Sequence, residues 1–264
     1  MKVRIAGTEL HYEERGTGTA VLFLHAFPLS LFMWDEQVAA LEASHRLVRF
    51  DSRGFGGTPA GDEPLTMDRI ADDAAALLDH LGIGRAVVVG CSMGGYAAFS
   101  MVRRHAPRIR ALVLQNTRAT ADTDEARQSR GLLAERVLRD GAGAAADAFL
   151  PRLVGETTGR DHPERTARLR EAILDTPPRG IANALLGLGA RVDSTPTARD
   201  ISVPTLVVGG AEDVLTPPSD TKALHAAIPG SRLEIVPGAG HLSNLENPEA
   251  YNRILASFLP TIEG

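Results

Sequence analysis

The sequence has 264 residues, of which 44% are hydrophobic and 23% are charged, as expected for a folded globular protein with a substantial core. Its formal net charge of −5 gives no basis for expecting nucleic acid or an anionic membrane as a partner. No apolar run reaches the roughly 18 residues that cross a bilayer, and the first residues lack a signal peptide's apolar core. A single cysteine excludes an intrachain disulfide. From these three observations together, we expect a cytoplasmic protein.

Strand-like and helix-like segments alternate along most of the chain. Apolar, β-branched runs predict strands, whereas apolar residues with helical spacing predict helices. The predicted strands are 3–6, 10–14, 20–25, 46–51, 85–89, 109–115, 204–210 and 232–236, and the predicted helices include 34–42, 67–81, 96–105 and 248–259. Thr66 is the expected N-cap of helix 67–81. This alternation predicts an α/β fold with a mostly parallel central sheet flanked by helices.

The strand pattern stops between residues 117 and 200. This stretch has a helical pattern, many charges and several prolines. Because it lies between two core strands, we interpret 117–200 as a helical cap inserted into a core made of 1–116 and 201–264. A separate helical domain or a linker is the alternative. A cap would lie over the carboxyl edge of the sheet, where open α/β sheets bind their ligands.

Gly90-Cys91-Ser92-Met93-Gly94 is the most informative motif, because this Gly-x-Ser-x-Gly segment stands where a predicted strand becomes a helix. On such a turn the serine sits on a sharp, strained bend with its hydroxyl exposed. Gly90 and Gly94 provide the space that the tight backbone needs. Ser92 is therefore the candidate nucleophile. Cys91 precedes the bend, so we expect it to be a small buried apolar residue.

An acidic residue and a histidine follow two later strands. Asp213 comes just after strand 204–210, and His241 ends a glycine-rich loop after strand 232–236. The chain order Ser92, Asp213, His241 is that of one convergent catalytic triad. A neutral histidine can take the serine proton, and an aspartate fixes the imidazole tautomer. The sequence therefore predicts nucleophilic catalysis by Ser92.

Other residues compete for the acid and base roles. Glu212 neighbours Asp213 and is an alternative acid. Asn116 or Asp122 marks another acid position, one strand earlier in the chain. His225 also follows Asp213, but it lies in a helix-like segment and fits a surface position better. We prefer Asp213 as the acid and keep Glu212 as its alternative.

The segment His25-Ala26-Phe27-Pro28 follows the strand at 20–25. With this loop the chain resembles the α/β-hydrolase fold superfamily over nearly its whole length outside 117–200. The matching motifs are 25–28, Asp51-Ser52-Arg53-Gly54-Phe55-Gly56-Gly57-Thr58, the 90–94 turn, Asp213 and Gly240-His241. The resemblance is greatest to bacterial carboxylesterases, 3-oxoadipate enol-lactonase-like hydrolases and cofactor-free perhydrolases.

The resemblance implies roles for further residues. The backbone N–H groups of Phe27 and Met93 would form the oxyanion hole, and Met93 stands at a helix N-terminus that favours negative charge. Asp51 and Arg53 would be structural, tying a strand end to its loop. No metal and no cofactor are implied. Proline after the oxyanion residue is frequent in the perhydrolases, so Pro28 adds a possible perhydrolase side activity.

The expected function is that of a serine hydrolase acting on a small-molecule ester or lactone through an acyl-enzyme. The stretch 117–200 holds one aromatic residue, Phe149, among many aliphatic ones, which predicts a modest, largely aliphatic pocket for small to medium, largely apolar acyl groups. The alternatives are an enol-lactonase or other lactonase, a perhydrolase side activity and a C–C bond hydrolase. A more remote alternative is a non-catalytic ligand-binding module.

Overall fold

The computed structural model describes residues 1–262, which fold around an eight-stranded sheet. Its strands are β1 (Lys2–Ile5), β2 (Thr8–Arg15), β3 (Thr19–Leu24), β4 (His45–Phe50), β5 (Ala86–Cys91), β6 (Ile109–Gln115), β7 (Thr205–Gly210) and β8 (Arg232–Val236). The spatial order is β1-β2-β4-β3-β5-β6-β7-β8. β1 and β2 pair antiparallel, and so do β2 and β4, whereas all other pairs are parallel. The predicted mostly parallel sheet is confirmed.

The central strands are buried on both faces. Every residue of β5 and of β7 is buried, in agreement with their nearly continuous apolar sequences. Since parallel strands point the same way, the loops that follow β3, β5, β6, β7 and β8 emerge at one edge of the sheet. This edge therefore brings together the loops that carry the predicted site residues.

Helices account for most of the remaining chain. They are α1 (Asp35–Leu41), α2 (Met67–His80), α3 (Met93–His105), α4 (Asp124–Asp140), α5 (Gly143–Leu153), α6 (Glu156–Asp161), α7 (Pro163–Leu174), α8 (Pro178–Gly189), α9 (Thr195–Arg199), α10 (Pro218–Ala227), α11 (Ser243–Glu246) and α12 (Pro248–Phe258). Thr66 caps α2 as predicted, because its hydroxyl accepts the N–H of Arg69 at 3.1 Å. Within residues 1–262, no helix is both long and apolar enough to cross a membrane.

Two predicted helices begin differently in the structure, and α2 and α12 each end one residue earlier than predicted. α3 begins at Met93 instead of residue 96, since the backbone turns directly from Ser92 into the helix. The Gly94-Gly95 pair has low helix propensity and concealed this first turn in the sequence. The predicted helix 34–42 is a 3₁₀ turn, Leu31–Trp34, followed by the shorter α1.

Helices α4 to α9 lie between β6 and β7, where the strand pattern stops. α4 packs against α8, and this helical segment also contacts the core. The N–H of Leu65 donates to the carbonyl of Asn183 at 3.0 Å. A Cβ at Gly180 would overlap the backbone of Gly54, so the two backbones touch. The helical segment is thus fixed to the loop that precedes α2.

Candidate active site

Ser92 lies on the turn between β5 and α3, with φ 51° and ψ −109°. This conformation is strained for a residue that carries a side chain. A Cβ at Gly90 would overlap the carbonyl oxygen of Gly94, and a Cβ at Gly94 would overlap that of Leu24. Both glycines are therefore required by the close approach of β3, β5 and α3. The turn holds Ser92 at the carboxyl edge of the sheet.

Three predicted side chains form a continuous hydrogen-bonded chain. Oγ of Ser92 lies 2.8 Å from Nε2 of His241, and Nδ1 of His241 lies 2.8 Å from Oδ2 of Asp213. An ionised carboxylate only accepts hydrogen bonds, so Nδ1–H donates to Asp213 and Nε2 can accept the Ser92 proton. His241 and Asp213 are 3% and 2% exposed, so bulk water does not compete for these bonds.

The carboxylate of Asp213 is held by four further donors. Oδ1 accepts the N–H groups of Leu215 at 2.8 Å and Thr216 at 3.0 Å. Oδ2 accepts from Oγ1 of Thr216 at 2.7 Å and Nδ2 of Asn116 at 2.8 Å. Burial acts to raise the pKa of Asp213, but hydrogen bonds from His241, Thr216 and Asn116 outweigh it and lower this pKa to about 2. Asp213 is therefore ionised at neutral pH.

Buried His25 braces the loop that follows β3. Its Nδ1 lies 3.0 Å from the carbonyl oxygen of Ala26, and its Nε2 accepts the N–H of Ser52 at 2.9 Å. Burial lowers the pKa of His25, although the Ala26 carbonyl and the charge of Asp51 act in the opposite direction. The neutral ring thus carries its proton on Nδ1 and connects the loop at 25–28 to the loop after β4.

The two residues predicted to form an oxyanion hole lie close to Ser92 in the fold. Met93 is the first residue of α3, so its N–H has no acceptor within the helix. Phe27 follows Ala26 in the braced loop and lines the same cavity as Ser92. The arrangement is compatible with the predicted role of these two N–H groups, which stays a prediction.

Asp51 and Arg53 have the structural role that was predicted for them. The carboxylate of Asp51 accepts the N–H groups of Leu31 and Gly57, each at 2.8 Å. The guanidinium of Arg53 contacts the carboxylate of Asp73 in α2, with Nε 2.7 Å from Oδ2. These bonds fix the loop after β4. Both side chains are engaged in structural contacts.

The alternative acids are engaged elsewhere. Glu212 accepts the N–H of Thr157 at 2.8 Å and the Thr157 hydroxyl at 2.6 Å. Asp122 is buried and contacts Nε of Arg130 at 2.6 Å and Nη1 of Arg191 at 2.7 Å. Neither carboxylate has a bond to the candidate base among the hydrogen bonds of residues 1–262.

The alternative base, and Cys91 next to the candidate nucleophile, also have ordinary structural surroundings. His225 lies in α10, with Nδ1 2.8 Å from Oγ of Ser231. Cys91 is fully buried, as predicted. Burial raises the pKa of its thiol well above the usual value, and the charges of Asp213 and Glu246 act in the same direction. The thiol is therefore protonated and a poor nucleophile.

Asn116 links the acid to the loop that carries the base. Its Nδ2 donates to Asp213 and to the carbonyl of Gly240 at 3.1 Å, and its Oδ1 accepts the hydroxyl of Ser243 at 2.7 Å. The backbone of Asn116 has φ 45°, a conformation that Asn tolerates better than most residues. Sequence reasoning considered this position only for an alternative acid. An Asn directly after a strand end was the one available signal.

Glu246 ties the loop after His241 to the helical segment. Its carboxylate accepts the N–H of Gly155 at 2.6 Å and the N–H of Leu242 at 3.0 Å, and the residue is buried. Sequence reasoning missed this residue, because nothing local distinguishes its carboxylate from the many exposed ones.

A cavity of about 60 Å³ lies beside the candidate nucleophile and base, between the core and the helical segment. Phe27, Phe149 and Leu153 form part of its apolar wall, and Arg118 and Arg130 form its charged wall. The rings of Phe27 and Phe149 are in edge contact, with centroids 5.2 Å apart. The prediction of a largely aliphatic lining is wrong. Composition shows which residues a segment contains but not which of them face inward.

Comparison with known proteins is consistent with this architecture. The family model described as the alpha/beta hydrolase fold matches residues 19–248. The chain therefore belongs to the alpha/beta hydrolase family, as the sequence motifs indicated. The match includes all three members of the candidate triad.

Individual relatives show which members of the alpha/beta hydrolase family this chain is similar to. A thermophilic esterase from Thermogutta terrifontis, solved with malate bound, is 40% identical, and the match covers 100% of both chains with a TM-score of 0.97. The enol-lactonase from Burkholderia xenovorans LB400 is 33% identical, with 98% and 100% coverage and a TM-score of 0.91. A 3-oxoadipate enol-lactonase from Acinetobacter baylyi is 31% identical over 242 residues, covering 91% of this chain and 88% of that protein. These similarities support a hydrolase activity.

Proposed function

We propose that this protein is a serine hydrolase that cleaves small-molecule carboxylic esters through an acyl-enzyme intermediate. The observation that carries the proposal is the chain of two 2.8 Å hydrogen bonds from Ser92 through His241 to Asp213. The strained turn that presents Ser92 adds support, because strain at a single residue is characteristic of functional sites. The 40% identity to an esterase over the full chain agrees with this reaction.

In the first half-reaction, Oγ of Ser92 attacks the ester carbonyl carbon while Nε2 of His241 takes its proton. The ionised carboxylate of Asp213 stabilises the resulting imidazolium. The tetrahedral intermediate then collapses, and the bond to the alcohol oxygen breaks. His241 returns its proton to that oxygen, leaving free alcohol and an ester of Ser92.

The second half-reaction releases the acid. His241 takes a proton from a water molecule, which attacks the acyl carbon of the Ser92 ester. The second tetrahedral intermediate expels Oγ of Ser92, and His241 returns the proton to it. Ester and water are thus converted into acid and alcohol, and the enzyme regains its starting state.

Both tetrahedral intermediates place negative charge on the former carbonyl oxygen. The N–H groups of Phe27 and Met93 are our candidates to bind it, and the loss of one such donor typically costs about 10² to 10³ in kcat. The bonds of His25 to Ala26 and Ser52 hold the loop of Phe27 in place. His25 is thus a positioning residue for the oxyanion site.

We also propose that residues 117–200 act as a cap on the core formed by 1–116 and 201–264. Phe149 and Leu153 of α5 provide apolar wall next to Phe27. A cavity of about 60 Å³ accommodates a small group, so small to medium esters are the favoured substrates in this conformation.

Lactone hydrolysis is the second candidate function. A lactone is a cyclic ester, so the same two half-reactions apply, except that the alcohol stays attached to the acyl group. The similarity to two proteins named as enol-lactonases favours this candidate. Esterase and lactonase activity differ only in how the cavity accepts the ring.

The remaining alternatives would change the second half-reaction or remove the chemistry. In a perhydrolase, hydrogen peroxide replaces water in deacylation and the product is a peracid. Pro28 after Phe27 motivates this side activity, and a Pro28→Leu variant tests it through the ratio of peracid to acid. A C–C bond hydrolase would need a carbon leaving group, and a binding module would show no turnover.

A substrate panel tests the proposed function. p-Nitrophenyl esters of increasing acyl length and a set of lactones are each assayed with wild type and Ser92→Ala. We expect the highest kcat/KM on short to medium esters and no turnover above background in the variant. A higher kcat/KM for lactones would favour the second candidate, and no turnover of either class in wild type would contradict the proposal.

A further inference from the structure

Three arginines surround one buried carboxylate next to the cavity. Oδ2 of Asp122 lies 2.6 Å from Nε of Arg130 and 2.7 Å from Nη1 of Arg191. Nη2 of Arg118 lies 3.7 Å from Oδ1 of Asp122, and its Nη1 lies 3.5 Å from the carboxylate of Asp220. Three positive charges thus face two negative ones, which leaves an excess of one positive charge.

Arg118 has the least satisfied guanidinium of the three. Its contacts of 3.5 and 3.7 Å exceed the 2.7–3.2 Å of ordinary N–H···O bonds. Its Nε is buried and has no hydrogen-bond partner within residues 1–262. Nε of Arg191 also lacks a partner there, but this guanidinium lies over the ring of Tyr96, 4.3 Å from its centroid. Arg118 therefore has donors available for another acceptor.

Arg118 is also part of the wall of the candidate active site. Arg118 and Arg130 line the cavity that also contains Ser92 and His241. Of the described residues that line it, none is an aspartate or a glutamate. The wall therefore favours a ligand with a negative charge.

We propose that this cavity selects esters that carry a second, ionised carboxylate, and that Arg118 is the residue that binds it. This inference rests on the proposed ester hydrolase activity and names its substrate class. A guanidinium matches a carboxylate geometrically and can donate two parallel hydrogen bonds to it. Phe149 and Leu153 pack against the apolar atoms between the two functional groups. The carboxylate belongs to either the acyl or the alcohol part of the ester.

Matched substrate pairs isolate the effect of the substrate's negative charge on kcat/KM. Monomethyl glutarate carries the carboxylate on the acyl side, and 3-acetoxypropionate carries it on the alcohol side. Each is compared with its neutral primary amide, which is nearly isosteric. The measured quantity is the ratio of kcat/KM for the carboxylate to that for the amide.

Two substitutions test whether Arg118 binds the carboxylate of the substrate. Arg118→Gln removes the proposed partner, and Arg127→Gln is the matched control. Arg127 lies on α4, contacts Asp124 at 3.5 Å and does not line the cavity. For at least one pair, we expect wild type and Arg127→Gln to favour the carboxylate by about tenfold or more, the usual effect of a charged hydrogen bond. We expect Arg118→Gln to lose this preference.

A binding measurement separates this inference from the proposed function. Calorimetry compares binding of the same carboxylates and amides to Ser92→Ala and to Ser92→Ala/Arg118→Gln. If wild type cleaves esters without preferring either carboxylate, or if Arg118→Gln keeps the preference, the inference is overturned while the esterase proposal stands. If no ester is cleaved, the proposed function fails. Carboxylate binding that depends on Arg118 would then still support the anion site, and its absence would overturn it.

Discussion

Glu212 and Asp213 are neighbours in the sequence, but their carboxylates bind different parts of the protein. Asp213 accepts from Nδ1 of His241 at 2.8 Å, whereas Glu212 accepts from Thr157 at the start of α6. The loop after β7 thus binds two different parts of the protein. Its Asp213 contacts the candidate base, and its Glu212 contacts the helical segment. This geometry supports our proposal that Asp213, not Glu212, is the acid.

Substitution of the two carboxylates is expected to separate their roles. Asp213→Asn should lower kcat by about 10⁴, because an amide no longer holds the imidazole in the required tautomer. Glu212→Gln removes a charge but keeps an acceptor for Thr157, so its effect on kcat should be small. Steady-state kinetics on one activated ester measures both. Equal losses in the two variants would contradict the assignment of the acid.

The stability of the protein is expected to fall as the pH drops below neutrality, in part because of His25. Burial lowers the pKa of His25 in the folded state, whereas a histidine in the unfolded chain titrates near about 6.5. Below that pH the unfolded state binds a proton that the folded state does not bind. The free energy of unfolding should therefore decrease by up to about 1.4 kcal/mol per pH unit from this residue.

Urea unfolding at pH 7.5, 6.5 and 5.5 measures this dependence. The control is His25→Gln, in which the other seven of the eight histidines are unchanged. We expect a shallower decrease in the variant between pH 6.5 and 5.5. The same slope in both proteins would show that the pKa of His25 is not lowered in the folded state and would contradict the prediction.

The sequence was sufficient to predict the position of those candidate site residues whose placement depends on local chain geometry. Ser92, Asp213 and His241 each follow a strand of the predicted sheet, and parallel strands bring their carboxyl ends to one edge. Arg118 also follows such a strand, but its proposed role depends on contacts such as that with Asp220 in α10 and on the direction of its side chain. Those contacts join segments far apart in the chain, and no local pattern encodes them.

The glycines of the chain should respond to substitution according to the space around them. A Cβ at Gly94 would overlap the carbonyl of Leu24, so Gly94→Ala should destabilise the fold by about 3 kcal/mol. Gly131 lies inside α4 with no atom within 4 Å of an added Cβ. Gly131→Ala should therefore stabilise by about 0.5–1 kcal/mol. Thermal unfolding of both variants tests this, and a similar shift in both would refute the packing argument.

The only cysteine should be inaccessible in the native protein. Cys91 is buried and its thiol pKa is raised, so an aromatic disulfide reagent should not react with the folded chain. In denaturant the reagent should titrate one thiol per chain. Rapid stoichiometric reaction in native buffer, accompanied by loss of esterase activity, would place the thiol in the site and contradict its assignment to the core.

The covalent role of Ser92 is tested most directly by mass spectrometry after treatment with a fluorophosphonate. We expect one adduct per chain on Ser92 in wild type. In a folded Ser92→Ala variant we expect no adduct and at least about 10³-fold lower ester turnover. Circular dichroism spectra of the two proteins should superimpose. An adduct on another residue, or turnover at the wild-type rate in a clean Ser92→Ala preparation, would contradict the mechanism.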